Sequence, residues 1–293
     1  MRYPLDPALC ALSSLHLPAR PRLLAAAGRL MPLFIRCRPD ARVTVQRVAL
    51  PSGCSIHVIR PRNTPTSDCL FYLHGGGFLF PASGAHFAIA KEYALRLPCT
   101  VLCVDYRLQP HPVPAQDCLA AYRWMLNTLH PKRFFVCGDS AGGALAAAVC
   151  LMARDAGLPL PQGALLVYPV LDRRMTAPSM QAYPDTPVWN ARLNRMMWSA
   201  YLGDNDPQPA EYASPLEAPT FARFPPAYIE VAQYDCLHDE GVQLHQRLLA
   251  ERVPSVLRDI PAACHGFETA LRSPITRACM DARIRWLHSL RAE

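Results

Sequence analysis

The stretch RFFVCGDSAGGALAAAVCLMARDAG, Arg133 to Gly157, changes character at its middle. Phe134 to Cys137 is an unbroken apolar run, the pattern of a strand buried on both faces. From Ala141 onward alanine and leucine dominate, and these are strong helix formers. Between the two lies G-x-S-x-G: Gly138, Asp139, Ser140, Ala141, Gly142. The bare pattern is common by chance, so its context carries the information. A strand running in and a helix running out force Ser140 into a tight, strained turn with its hydroxyl exposed. Glycines on either side remove the Cβ atoms that so sharp a turn would bring into collision. The helix N-terminus also favours negative charge developing beside the serine. A serine at this place can be a plain helix N-cap; the glycines and the flanking strand favour a nucleophile.

Outward from this turn the chain keeps one rhythm. VTVQRVAL and SIHVIRP flank Pro51–Gly53 and read as a β-hairpin. CLFYLHG, CTVLCVDYR, RFFVCGDS, GALLVYPVL, PPAYIEVAQYD and SVLRDI read as six further strands. Helical patterns such as HFAIAKEYALRL, PAQDCLAAYRWMLNTL, DEGVQLHQRLLAERV and ITRACMDARIRWLHSL alternate with them. Repeated strand–helix alternation with apolar strands implies a mostly parallel eight-stranded sheet, covered by helices on both faces. Residues 1–40 and 176–218 are Pro-interrupted and break the rhythm. They are expected to pack together as a helical lid over the sheet's carboxyl edge, with 41–175 and 219–293 forming the core.

Composition narrows the function classes. A chain of 293 residues with 51% apolar and 18% charged residues is globular, and it is long enough for one large domain. Its net charge of +7 is uneven: residues 1–62 hold ten Arg against Asp6 and Asp40, a local +8 that leaves about −1 elsewhere. Those arginines are scattered among prolines, without a basic run or interleaved aromatics, so nucleic acid is not the expected partner. No stretch approaches the uninterrupted apolar length of a membrane span. LLAAAG, from Leu23, is too short for a secretory signal and is cut by Arg29. Twelve cysteines without an export signal are expected to be reduced thiols, and the protein is expected to be cytoplasmic. No Cys and His stand at zinc-like spacing.

The second informative stretch is FYLHGGGFLF, Phe71 to Phe80, where three glycines follow a strand. Glycine weakens strands, so three together mark a turn or a backbone whose N–H groups must stand clear of side chains. Attack by Ser140 on a carbonyl makes a tetrahedral oxyanion, which needs preorganised donors. An HGGG-type loop supplies them together with the N–H after the nucleophile. Gly75, Gly76 and Ala141 are therefore the expected donors, with His74 shaping the loop.

These two motifs, in this order and on this sheet rhythm, resemble the hormone-sensitive-lipase-like family of α/β-hydrolases. VDYRLQPHPVPAQD, LLVYPVLD, FPPAYIEVAQYDCLHDEG and CHGFE are similar to family stretches, so the resemblance covers nearly the whole chain. One departure lies after Gln109–Pro110, where the family's glutamate is omitted and Gln109 replaces its alanine. The resemblance implies an α/β-hydrolase fold, a two-part helical cap at 1–40 and 176–218, and short- to medium-chain acyl esters as substrates. It allows a homodimer through an edge strand.

A serine hydroxyl needs a neighbouring base, and that base needs a partner to fix its tautomer. Of ten histidines, His265 stands just past the last strand and matches the family's H-G-F. Asp235, Asp239 and Glu240 compete for the acid. Asp235 directly follows a strand, whereas Asp239 and Glu240 open the next helix, where first-turn acids are natural. The family pattern also falls on Asp235, and Ser140–Asp235–His265 is the chain order of α/β-hydrolases. Cys236 and Cys264 border two of these residues, and plain packing is their expected role. Phe78, Trp189 and Trp198 are expected to line an apolar substrate pocket.

The expected reaction is hydrolysis of a small-molecule ester through an acyl-serine, with no metal or organic cofactor. Two alternatives stand beside it. One is a ligand receptor on the same fold, which the presence of His265 opposes. The other is an amidase or a deacetylase, because leaving-group preference lives in pocket shape.

Overall fold

The computed structural model describes residues 3–18 and 36–291. Eight strands form one sheet: β1 (Val43–Ala49), β2 (Ser55–Pro61), β3 (Asp68–Leu73), β4 (Thr100–Asp105), β5 (Arg133–Asp139), β6 (Ala164–Val167), β7 (Ala227–Tyr234) and β8 (Ser255–Cys264). Their order is β1-β2-β4-β3-β5-β6-β7-β8. β1 and β2 form the expected hairpin, β2 also runs antiparallel to β4, and every other pairing is parallel. The principal helices are α1 (Gly84–Arg96), α2 (Val113–Leu129), α3 (Ala141–Asp155), α4 (Pro178–Ala182), α5 (Ala191–Leu202), α6 (His238–Ala250) and α7 (Pro274–Ser289).

Alternate residues of each strand enter two separate cores, because successive side chains of a strand point to opposite faces. Phe71, Leu73, Val136, Leu166 and Ile229 pack with α2, α3 and α6. Leu70, Tyr72, Phe135, Leu165 and Tyr228 pack on the other face with α1 and α7. Both faces are therefore dry, which is why these strands read as continuous apolar runs instead of alternating ones. All twelve cysteines are free thiols and ten are buried, Cys103, Cys137 and Cys150 among them. There they behave as small apolar side chains.

Two strands differ from the sequence reading. β6 stops at Val167, short of the GALLVYPVL run. Tyr168 turns to φ +34° and Pro169, having no N–H, cannot continue the ladder. β8 runs four residues past SVLRDI to Cys264, beyond an irregularity in its pairing with β7. That extension delivers the next residue, His265, to the carboxyl edge.

The order of the central strands places the site. β3 and β5 are neighbours with Leu73 opposite Gly138, although β4 and two helices separate them in the chain. The glycine loop after β3 and the turn after β5 therefore leave adjacent strands at the same edge, where the strand order reverses. Above that edge the N-terminal residues meet the mid-chain segment. Val188 N–H donates to Leu15 O at 2.7 Å, and the Tyr3 hydroxyl meets Asp185 at 2.6 Å. Within 1–40, residues 1–2 and 19–35 lie outside the described residues.

Candidate active site

Ser140 sits between β5 and α3 at φ +56°, ψ −122°. A non-glycine residue held there costs about 1–3 kcal/mol and persists only when its surroundings over-determine it. Here they do. Ser140 N–H donates to Val167 O at 2.9 Å, and Ser140 O accepts from Val170 at 3.1 Å and Ala144 at 3.2 Å. A Cβ on Gly138 would strike the Gly142 carbonyl, and one on Gly142 would strike that of Leu73. The two motif glycines are thus demanded by close backbone approach.

Ser140 Oγ lies 2.9 Å from His265 Nε2, and His265 Nδ1 lies 2.7 Å from Asp235 Oδ2. All three are buried, Asp235 completely. The other Asp235 oxygen accepts Leu237 N–H at 3.0 Å, which fixes the carboxylate. An acid bonded at Nδ1 holds that proton in place, so Nε2 presents its lone pair to the serine. The rival acids face elsewhere. Asp239 accepts Ser179 N–H at 2.9 Å, while Glu240 Oε2 accepts the N–H groups of Leu171 at 2.6 Å and Asp172 at 3.0 Å. Burial, with Asp172 nearby, pushes the Glu240 carboxyl well above its ordinary range.

The glycine loop corrects one expectation. Gly75 N–H is not free: it donates to Asp139 Oδ2 at 3.0 Å. Among the described residues nothing accepts the N–H groups of Gly76, Gly77 or Ala141. The available donors are therefore Gly76, Gly77 and Ala141, one residue further along the loop than expected. Gly76 and Gly77 take φ +123° and +59°, conformations that favour glycine. His74 does shape the loop. Its Nδ1–H donates to Gly75 O at 2.7 Å, its ring stacks on Tyr106 at 4.4 Å, and burial with His86 nearby lowers its pKa to about 4.

A cavity of about 140 Å³ opens beside Ser140 and His265, lined among others by Gly76, Gly77, Tyr168 and Trp189. Phe78 and Trp198 are not among its described lining residues. Phe78, at φ +58°, turns away and stacks on Tyr201 at 3.8 Å; Trp198 is buried against the same ring at 6.1 Å. Both belong to the packing between α5 and the core, which corrects their assignment to the pocket. A larger cavity of about 590 Å³ lies elsewhere, between Arg36, Arg38, Lys91 and Arg277. It includes none of Ser140, Asp235 and His265, so its size says nothing of the chemistry.

Sequence reading missed several neighbours of the site. Tyr168 packs its ring 4.5 Å from that of His265. Glu268 lines the cavity and meets Arg283 at 2.6 Å, and Arg283, fully buried on α7, also pairs with Glu230. This triplet ties the turn that carries His265 to the sheet. Nothing local in CHGFE announces it, since the partners lie 15 and 53 residues apart. Burial raises the thiol pKa values of Cys236 and Cys264, the latter to about 12, so neither is an activated thiolate. Among the described residues no cluster of His, Cys, Asp and Glu could hold a metal, and no helix is long and apolar enough to cross a membrane.

The sheet order, with a serine turn at the edge where that order reverses, makes the class an α/β-hydrolase. A family profile described as alpha/beta hydrolase fold matches residues 70–269, and the chain belongs to that family. Within it the protein is a hormone-sensitive-lipase-like esterase, a serine carboxylesterase. It is 33% identical over 244 residues to esterase LipI of Mycobacterium tuberculosis, across 78% of this chain and 76% of that one. With ethyl acetate hydrolase of Pseudomonas putida it shares 30% identity over 71% of this chain and 69% of that one. For other mycobacterial relatives the match spans 65% of their length. Among solved structures, a bacterial heroin esterase superposes with a TM-score of 0.85 at 29% identity, covering 96% of each chain.

Proposed function

We propose that this esterase hydrolyses short- to medium-chain acyl esters through an acyl intermediate on Ser140. The observation that carries the reading is the continuous line from Ser140 Oγ through His265 to Asp235, at 2.9 and 2.7 Å. His265 Nε2 takes the serine proton as Oγ attacks the ester carbonyl, and Asp235 stabilises the imidazolium that forms. The carbonyl oxygen becomes an oxyanion that the N–H groups of Gly76, Gly77 and Ala141 receive. His265 returns the proton to the departing alkoxide, leaving an acyl-serine and a free alcohol. Water then enters, gives a proton to His265, adds to the acyl carbon, and Ser140 leaves with that proton restored.

Pocket size supports the acyl preference. The cavity beside Ser140, about 140 Å³, is small and suits a short acyl chain better than a long one. The name of one relative, an ethyl acetate hydrolase, points the same way. We assign the described residues of 1–40 and 176–218 to a cap over the described core of 41–175 and 219–293, resting on the contacts of Leu15 with Val188 and Tyr3 with Asp185. A cytoplasmic location fits twelve unpaired cysteines.

The test is hydrolysis of p-nitrophenyl esters from acetate to palmitate, with Ser140→Ala beside the wild type. Turnover that peaks at short or medium chains and is lost in the variant supports the proposal. A peak at palmitate contradicts the acyl class, and an active Ser140→Ala contradicts the nucleophile.

A further inference from the structure

The site holds a second histidine–carboxylate pair. Asp139, next to the nucleophile and buried, accepts three hydrogen bonds: Tyr72 Oη at 2.9 Å on Oδ1, and Gly75 N–H at 3.0 Å and His86 Nε2 at 3.2 Å on Oδ2. No arginine or lysine among the described residues pairs with it. His86 stands in the first turn of α1, where Nδ1 meets the Ser83 N–H at 2.8 Å. A backbone N–H can only donate, so Nδ1 keeps its lone pair and the ring proton sits on Nε2, aimed at Asp139. The ring is thereby locked at both nitrogens, and it lines the same cavity as Ser140 and His265.

What the carboxylate grips gives this pair its meaning. A Cβ on Gly75 would collide with Asp139 Oδ2 and lie 3.1 Å from Ser140 Cβ, so the loop's first glycine lies flat against the nucleophile turn. Gly76 and Gly77, whose N–H groups meet no acceptor among the described residues, follow directly. Their position relative to Ser140 is set by the bond from Gly75 to Asp139, and the angle of that carboxylate is set by His86 and Tyr72.

We propose that His86 is a positioning residue for the reaction: acting through Asp139, it holds the Gly76 and Gly77 donors where the oxyanion forms. It moves no proton. This rests on the reading of Ser140 as nucleophile and of the loop as oxyanion site. Both ring nitrogens of His86 are engaged by Ser83 and Asp139, so its loss removes no hydrogen bond to the ground-state ester and loosens donors used in the transition state; its main effect falls on kcat.

The test compares wild type, His86→Ala and His86→Gln on p-nitrophenyl acetate, with a trifluoromethyl ketone as mimic of the tetrahedral adduct. Whole loss of one oxyanion donor costs about a hundredfold or more, so the displaced loop of His86→Ala is expected to lower kcat by about ten- to a hundredfold, with KM within about twofold. The ketone should weaken by the same factor as kcat/KM. Gln, whose amide N–H reaches about as far as Nε2, should restore most of the loss. A kcat unchanged in folded His86→Ala, a loss appearing in KM, or a Gln variant no better than Ala each overturns the assignment. Should His86→Ala not fold, Tyr72→Phe removes a donor from the same carboxylate; a kcat-only loss supports the proposal and an unchanged kcat overturns it. A fluorophosphonate separates the two readings. A wild type that fails to label at Ser140 brings down the nucleophile and this assignment together. An active, labelled wild type with indifferent variants brings down His86 alone.

Discussion

Asp139 Oδ2 accepts the N–H of Gly75 at 3.0 Å, so the residue before the nucleophile fastens the loop that faces it. The bond occupies the Gly75 N–H and, in the proposed mechanism, passes the donor role to the next two glycines. It also couples the geometry of the turn after β5 to the loop after β3.

Gly76 therefore tolerates no side chain. At φ +123°, with Phe80 O and Cβ close to where its own Cβ would stand, Gly76→Ala must move the loop. The expected result is a kcat lower by about 10²- to 10³-fold with KM little changed, as for loss of an oxyanion donor. Steady-state kinetics on p-nitrophenyl butyrate check it; an unchanged kcat contradicts the donor assignment.

Asp235→Asn should leave the fold intact and still cripple turnover. An amide N–H facing His265 Nδ1 selects the tautomer with the proton on Nε2, which cannot accept from Ser140. The expected fall in kcat is about ten-thousandfold near neutral pH. A fall of less than about tenfold would mean that another group orients His265.

The buried charges of the His265 turn predict a large stability effect. Arg283→Met strands the carboxylates of Glu230 and Glu268 in a dry interior, since Arg283 is 1% exposed and both acids are buried. Removing one partner of a buried pair costs about 3–5 kcal/mol. Urea unfolding measures it, and a difference under about 1 kcal/mol would mean that the network relaxes or hydrates.

Glu240 predicts a pH dependence of opposite sign to that of an ordinary paired acid. Burial raises its folded pKa well above the ordinary 4.5, so above that pH the unfolded chain gives up a proton that the folded protein retains. Stability is then lost as pH rises from about 4.5 toward the folded pKa. Glu240→Gln keeps an acceptor for Leu171 and Asp172 and removes the ionisation. Its melting temperature should gain steadily on the wild type as pH rises above about 4.5, where the unfolded chain is ionised and the folded wild type still holds its proton. Parallel curves would contradict a buried, protonated Glu240.

What was legible in the sequence was what a short segment decides. Two-face burial shows as apolar runs, so the central strands β3 to β7 could be read; β1 and β2 showed as a hairpin about Pro51–Gly53, and a serine flanked by glycines between strand and helix stands out. Ser140 stood out by its glycine-flanked turn between strand and helix, Asp235 by its place directly after a strand together with the family pattern, and His265 by the family's H-G-F just past the last strand; the structure brings the three within hydrogen-bonding distance. What a segment cannot decide is where a side chain turns. Phe78 sits beside the glycine loop, yet its positive φ sends the ring to Tyr201. The choice of donor glycine depended on Asp139, 64 residues from Gly75, and His86 bonds Asp139 across 53. β6 ended early because Tyr168 and Pro169 break the ladder, although both look apolar enough to continue it.

The central claim is that Ser140 carries the acyl group, and peptide mapping after acid quench tests it most directly. With p-nitrophenyl acetate and a variant slowed in deacylation, such as His265→Gln, cleavage at Arg133 and Arg154 releases a peptide whose single serine is Ser140. One acetyl group on that serine, absent from Ser140→Ala, is the predicted result. An acetyl group found elsewhere, with Ser140 unmodified during turnover, would contradict the account.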